Sequence, residues 1–122
     1  MPEAILVVDD DTVISAFLRM LLEQQGHEVR CAGSAAEALA LAAEHRPSLI
    51  VSDLRLADGS GGGPEIIAQI RRSGPVPALA LTGEQLTPEA FAALGFDAGL
   101  VKPVRIPALL AAITQVLATS RA

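Results

Sequence analysis

Short unbroken apolar runs alternate along this chain with stretches in which apolar residues recur every three or four positions. Ala4-Ile5-Leu6-Val7-Val8 is the first run and stops at Asp9-Asp10-Asp11. A continuous β-rich run of this length predicts a strand covered on both faces, as in a parallel sheet. From Thr12 to Gln25, Val13, Ile14, Phe17, Leu18, Leu21 and Leu22 follow helical spacing, with Asp or Thr as the cap and Gly26 as the stop. His27 to Ala32 reads as a short, more polar strand suited to a sheet edge. Ser34-Ala35-Ala36-Glu37 reads as a capping box for a second helix that ends before Pro47.

Leu49-Ile50-Val51 predicts a buried strand leading to Ser52-Asp53, after which Asp53 to Gly59 leaves the sheet as a loop. Gly59 to Gly63, interrupted only by Ser60, is expected to be the most flexible stretch, and Pro64 suits the first position of helix three. Pro77 to Leu81 forms the fourth strand and delivers Thr82-Gly83. Thr87-Pro88 caps a short fourth helix that carries Phe91 and Leu94 and closes at Gly95. Ala98 to Val101 is the fifth strand, and Ile106, Leu109, Leu110, Ile113, Val116 and Leu117 stripe a last helix. Five βα units require right-handed crossovers, so the expected fold is a parallel, helix-covered α/β sheet in one domain, residues 1–122.

Composition narrows the function. A mean hydropathy of +0.44 is high, yet no apolar run approaches the roughly 18 residues of a membrane span. Neither a signal peptide nor a membrane segment is evident, and the expected location is cytoplasmic. The single cysteine, Cys31, excludes an internal disulfide and reads as a small core residue. A formal charge of −5 and only three aromatics, Phe17, Phe91 and Phe96, argue against nucleic-acid binding.

The chemistry gathers at strand ends. Asp9 and Asp10, Asp53, Thr82 and Lys102 each follow a buried strand, and ligands of doubly wound sheets bind outside the carboxyl ends of the strands. Carboxylates brought together repel unless a positive charge joins them. A hard divalent ion with oxygen ligands, Mg²⁺ above all, suits such a group, and no His/Cys cluster competes. Asp53 then becomes a carboxylate nucleophile toward phosphorus, Lys102 a point charge for the transferred group, and Thr82 a hydroxyl donor to it.

These residues carry a resemblance over essentially the full length. Ile5 to Asp11, Asp53 to Gly59, Leu81-Thr82-Gly83 and Val101-Lys102-Pro103 resemble the receiver domain of bacterial two-component response regulators, with separations of 43, 29 and 20 residues from Asp10 to Asp53 to Thr82 to Lys102. The resemblance implies a flavodoxin-like (βα)5 fold with strand order 2-1-3-4-5. It also implies phosphoryl transfer from a histidine kinase or phosphotransfer protein onto Asp53, followed by autodephosphorylation rather than turnover of external substrates. Mg²⁺ would be held by Asp10, Asp53 and the backbone carbonyl of Arg55, with Asp9 acting through metal-bound water. A cis Lys102-Pro103 peptide is implied as well.

Two departures stand out. The family usually places Tyr or Phe three residues before the lysine as a rotamer switch, and here that position is Gly99. The loop after Asp53, with Gly61, Gly62, Gly63, Pro64 and Glu65, is about two residues longer than common. Lacking a Gly-Lys-Ser/Thr ending, it is a poor phosphate-binding loop. Among neighbouring residues, Asp11 suits helix capping and His27 and His45 suit surface roles, whereas Arg55 and Glu84 are equally compatible with access control and with plain solvation. The wide band on the last helix suits core packing, with a remainder for a partner or a second copy.

Three functions compete: a phosphoacceptor signalling domain, free-standing or at the end of a hybrid sensor kinase; a phosphorylation-independent docking module with a relic acid site; and a metal-dependent phosphatase. The last is disfavoured by the lack of a second nucleophile-plus-acid motif.

Overall fold

The computed structural model describes residues 3–54 and 62–121. Five strands, β1 (Ala4–Val8), β2 (Glu28–Ala32), β3 (Leu49–Asp53), β4 (Ala78–Thr82) and β5 (Ala98–Val101), alternate with α1 (Thr12–Gln24), α2 (Ala35–Glu44), α3 (Gly63–Ile70), α4 (Pro88–Ala93) and α5 (Ile106–Arg121). All strand pairs are parallel, in the order β2-β1-β3-β4-β5. The more polar β2 lies at an edge, as its composition requires.

Because the central strands are covered on both faces, their alternate side chains feed two cores. Leu6, Val8, Ile50, Ala78 and Ala80 pack with Ile66, Ile67, Phe91 and Phe96 beneath α2, α3 and α4. Ile5, Val7, Val51, Leu79 and Leu81 pack with Leu18, Leu22, Leu109 and Ile113 of α1 and α5. The last-helix band is almost wholly consumed here: Leu109, Ile113, Val116 and Leu117 are buried, while Ile106 is exposed. Of the band, Ile106 at the start of α5 and the half-buried Leu110 keep apolar surface outside this core.

Local signals explain the helix starts. The Asp11 carboxylate accepts from the backbone N–H of Val13 and Ile14, which makes it the α1 cap. Ser34 accepts from the Glu37 N–H, and the Glu37 carboxylate takes the Gly33 N–H, one residue before the reciprocal partner expected of a capping box. Arg46 holds the carbonyls of Gly74 and Pro75 at the opposite end of the sheet from the acids.

The glycines before α3 need a different description from the flexible one. Residues 59–61 lie outside the described residues, but Gly62 and Gly63 are tightly packed. The Gly63 N–H donates to the Leu54 carbonyl at 3.0 Å. A Cβ at Gly63 would stand 2.5 Å from the Asp53 carbonyl oxygen and 2.7 Å from Ser52 Oγ, and one at Gly62 would run into the Leu54 carbonyl. These residues are glycine because backbone meets backbone there. Helix three begins at Gly63, so Pro64 sits one residue inside its start.

Candidate functional site

In register, Val8 faces Ser52, Asp53 faces Leu81, and Thr82 faces Val101, so the ends of β1, β3, β4 and β5 form one rim. Strand order reverses between β1 and β3, and the crevice outside that reversal is where this architecture binds ligands. Asp9 is buried there, Asp10 is exposed, and Asp53 is partly exposed.

Asp9, Asp10 and Asp53 each present a carboxylate oxygen within 4.8 Å of the other two. Lys102 joins two of them: its ammonium lies 3.3 Å from Asp9 Oδ2 and 3.2 Å from Asp53 Oδ2. The remaining oxygens are held by backbone, since Asp9 Oδ1 accepts from the Asp11 N–H and Asp53 Oδ1 from the Leu54 N–H. Ser15 Oγ donates to the Asp9 carbonyl, and Ser52 Oγ to the Asp53 carbonyl. Those two serines were not singled out by the sequence. Each lies on a predicted element with no unusual spacing, so no signal distinguished them.

The ion pair acts differently on its two kinds of partner. Burial pushes the Asp9 carboxyl above its ordinary range, against the Asp11 N–H and the nearby ammonium, with the Asp53 charge adding to the rise. Burial also works against the Lys102 ammonium, but Asp9 and Asp53 outweigh it and hold the lysine above its ordinary value. The lysine therefore stays charged while Asp9 carries the cost of the crowding. A divalent cation fits this donor set: the ligands are hard oxygens, and three carboxylates meet within reach of one ion beside the Lys102 ammonium.

Thr82 is buried at the end of β4, and its hydroxyl accepts the Glu84 N–H at 3.1 Å. The Lys102 N–H donates to the Thr82 carbonyl at 2.6 Å, extending the β4–β5 ladder beyond its last strand residue. The Lys102–Pro103 peptide is cis. Arg55, expected to offer its carbonyl, lies outside the described residues. Glu84 is exposed beside Thr82. His27 accepts the Glu3 N–H at the start of β2, and His45 is exposed at the end of α2; neither joins the acids. Cys31 is half-buried and points its thiol at the Ser15 carbonyl, packed at the margin of the α1/α5 core rather than inside it.

Gly99 is the largest surprise at the site's edge. Its neighbours in β5, Ala98 and Leu100, pack toward α1 and α5, which turns Gly99 toward α4. There the Phe91 ring lies so close that a methyl group on Gly99 would overlap Cδ1, Cε1 and Cζ. An aromatic ring thus occupies this position after all, supplied by the helix instead of the strand.

A five-stranded parallel sheet with an acid cluster, a threonine and a lysine on its carboxyl rim defines a receiver-like α/β protein. The family model for the response regulator receiver domain matches residues 5–114, and the chain belongs to that family. It is similar to the transcriptional regulatory protein AfsQ1 of Streptomyces coelicolor, 38% identical over 119 residues, covering 96% of this chain and 52% of the relative. Response regulator MprA of a Mycobacterium species is likewise 38% identical, over 96% of this chain and 51% of its own. The chain spans about half the length of these relatives. Among solved structures, a CheY-like receiver domain protein from Methanospirillum hungatei superposes with a TM-score of 0.87 at 30% identity, covering 99% of this chain and 98% of that one. Chemotaxis protein CheY4 of Vibrio cholerae gives 0.84 at 31% identity, covering 95% and 99%. Membership places the chain in two-component phosphorelay signalling. Among the described residues no helix is long and apolar enough to cross a membrane.

Proposed function

We propose that the chain acts as one receiver domain whose Asp53 accepts a phosphoryl group from a phosphohistidine on a kinase or phosphotransfer protein. The observation that carries this reading is the partly exposed Asp53 carboxylate, held by the Leu54 N–H and Lys102 at the centre of the acid rim. A carboxylate oxygen of Asp53 forms the new bond to phosphorus as the phosphorus–nitrogen bond breaks. The departing imidazole keeps the electron pair and takes up a proton. Attack of water on phosphorus later returns the carboxylate and releases inorganic phosphate.

Asp10 and Asp53, with the Arg55 carbonyl that the family resemblance implies and with Asp9 acting through metal-bound water, would hold Mg²⁺, which would neutralise the anionic oxygens around phosphorus. Lys102, already charged between Asp9 and Asp53, moves its interaction to the added phosphoryl oxygens. The Thr82 hydroxyl donates its hydrogen to another of them while still accepting from Glu84. The incoming donor has an apolar face to rest on. Val13, Phe17 and Met20 stand exposed at helical spacing on α1, beside a groove of about 470 Å³ that Phe17, Pro103, Val104 and Ile106 share with Lys102. A histidine-bearing helix laid there brings its imidazole to the acid rim.

Phosphoramidate, which carries the same phosphorus–nitrogen bond, tests the reading. With Mg²⁺ the protein should gain one phosphoryl group, and chelation of the metal or Asp53→Asn should abolish the gain. Equal labelling of folded Asp53→Asn would remove Asp53 from the role.

A further inference from the structure

α4 has six residues, and Phe91 is its buried one. A helix this short has no stability of its own, so its place on the sheet is set by that ring and by the cap that Thr87 gives to Ala90. The ring rests in the space that Gly99 leaves open and belongs to the core formed by Leu54, Ala80, Ile66 and Phe96. Upstream, the link to the pocket is short. Thr82 ends β4 and α4 begins at Pro88, with five residues between them. The first is Gly83, around which a Cβ would meet nothing within 4 Å, and the Thr82 hydroxyl is already tied to the next residue through the Glu84 N–H. A pull on that hydroxyl therefore reaches a helix anchored by one side chain.

We propose that the Phe91 ring seated over Gly99 couples the Asp53 pocket to the α4–β5 face, so that a change at Thr82 is delivered as movement of α4 relative to that seat. This rests on Asp53 being the phosphoacceptor. The ring is a positioning element with two arrangements, seated and displaced, and an adduct at Asp53 favours the second because it draws the 83–87 loop toward the pocket. Coupling of this kind is reciprocal: whatever displaces the ring in advance must tighten binding of the adduct by the same factor. Gly99→Ala displaces it by direct overlap with three ring carbons. Phe91→Leu weakens the seat without adding bulk.

The probe is beryllofluoride with saturating Mg²⁺ on the full chain labelled with 4-fluorophenylalanine. The chain has three phenylalanines, so the fluorine spectrum holds three ring signals, with the Phe91 signal identified by its loss in Phe91→Leu. The bound beryllofluoride signal reports occupancy of Asp53 separately. In the unsubstituted protein the Phe91 signal should shift in step with occupancy. Amide exchange at residues 90–93 should change by about fivefold or more, and each variant should bind beryllofluoride about fivefold or more tightly. A bound beryllofluoride signal with an unmoved Phe91 signal overturns the coupling alone, as does a folded Phe91→Leu with unaltered affinity. Absence of any bound signal in the unsubstituted protein overturns the phosphoacceptor reading and this proposal with it.

Discussion

Replacing Gly63 by alanine would drive a methyl group into the backbone of the proposed phosphoacceptor. The new Cβ would lie 2.5 Å from the Asp53 carbonyl oxygen, 2.7 Å from Ser52 Oγ and 3.1 Å from Phe96 Cζ. Reaching an ordinary 3.4 Å from that carbonyl requires the start of α3 and the end of β3 to part by about 0.9 Å (3.4 minus 2.5). Ser52 Oγ cannot simply turn away, because it donates to the same carbonyl at 2.7 Å. Overpacking of this kind costs about 1–3 kcal/mol, against which alanine in place of glycine returns less than about 1 kcal/mol at a helix start. The expected net loss is about 1–2 kcal/mol. For a chain of this length that lowers the melting temperature by about 4–8 °C. Gly83→Ala is the matched control: a Cβ there meets nothing within 4 Å, and removing a glycine from an accommodating loop stabilises by about 0.4–1 kcal/mol. Urea unfolding of both variants, with unchanged slope, reads the two values. A Gly63→Ala protein as stable as the parent, or a Gly83→Ala protein equally weakened, would refute the close-packing account of the α3 start.

Lys102→Met removes the cation from between Asp9 and Asp53; since the lysine is one-quarter exposed, the expected loss in metal-free urea unfolding is about 1–2 kcal/mol, below that of a fully buried pair. No loss would mean that the ion pair contributes nothing. Mg²⁺ at ten times its dissociation constant should stabilise the protein by about 1.4 kcal/mol, raising the melting temperature by about 5 °C, and Asp10→Asn should remove most of that gain. A rise of the same size in the variant would take Asp10 out of the ligand set. His27 is depressed below its ordinary 6.5, chiefly by burial. Its folded form prefers the neutral ring, so stability is full above that ordinary value and falls as the pH drops through it toward the lowered one. Unfolding midpoints at pH 7.5 and 5.5 should differ less in His27→Gln than in the parent, and an identical difference would assign the slope elsewhere.

The apolar runs and helical spacing were enough to read the five βα units, the edge position of β2 and the convergence of Asp9, Asp10, Asp53, Thr82 and Lys102, because burial imposes its period directly on the residues. What escaped was close approach between elements distant in the chain. A glycine-rich string reads as flexibility when its neighbours are unknown, yet Gly62 and Gly63 are glycine because Leu54 and Asp53 press against them. Gly99 reads as a missing side chain when β5 is considered alone; only the packing of α4 shows that Phe91 fills the place. The α5 stripe was similarly ambiguous, since apolar spacing does not separate a face that packs on the sheet from one that waits for a partner.

The measurement that tests the central claim most directly is location of the acyl phosphate. After incubation with Mg²⁺ and acetyl phosphate, borohydride reduction converts a phosphorylated carboxyl group to an alcohol that peptide mass spectrometry can place in the chain. The account predicts a reduced residue at Asp53, dependent on Mg²⁺. Modification at Asp9 or Asp10 instead, or no modified carboxyl in folded protein, would contradict it.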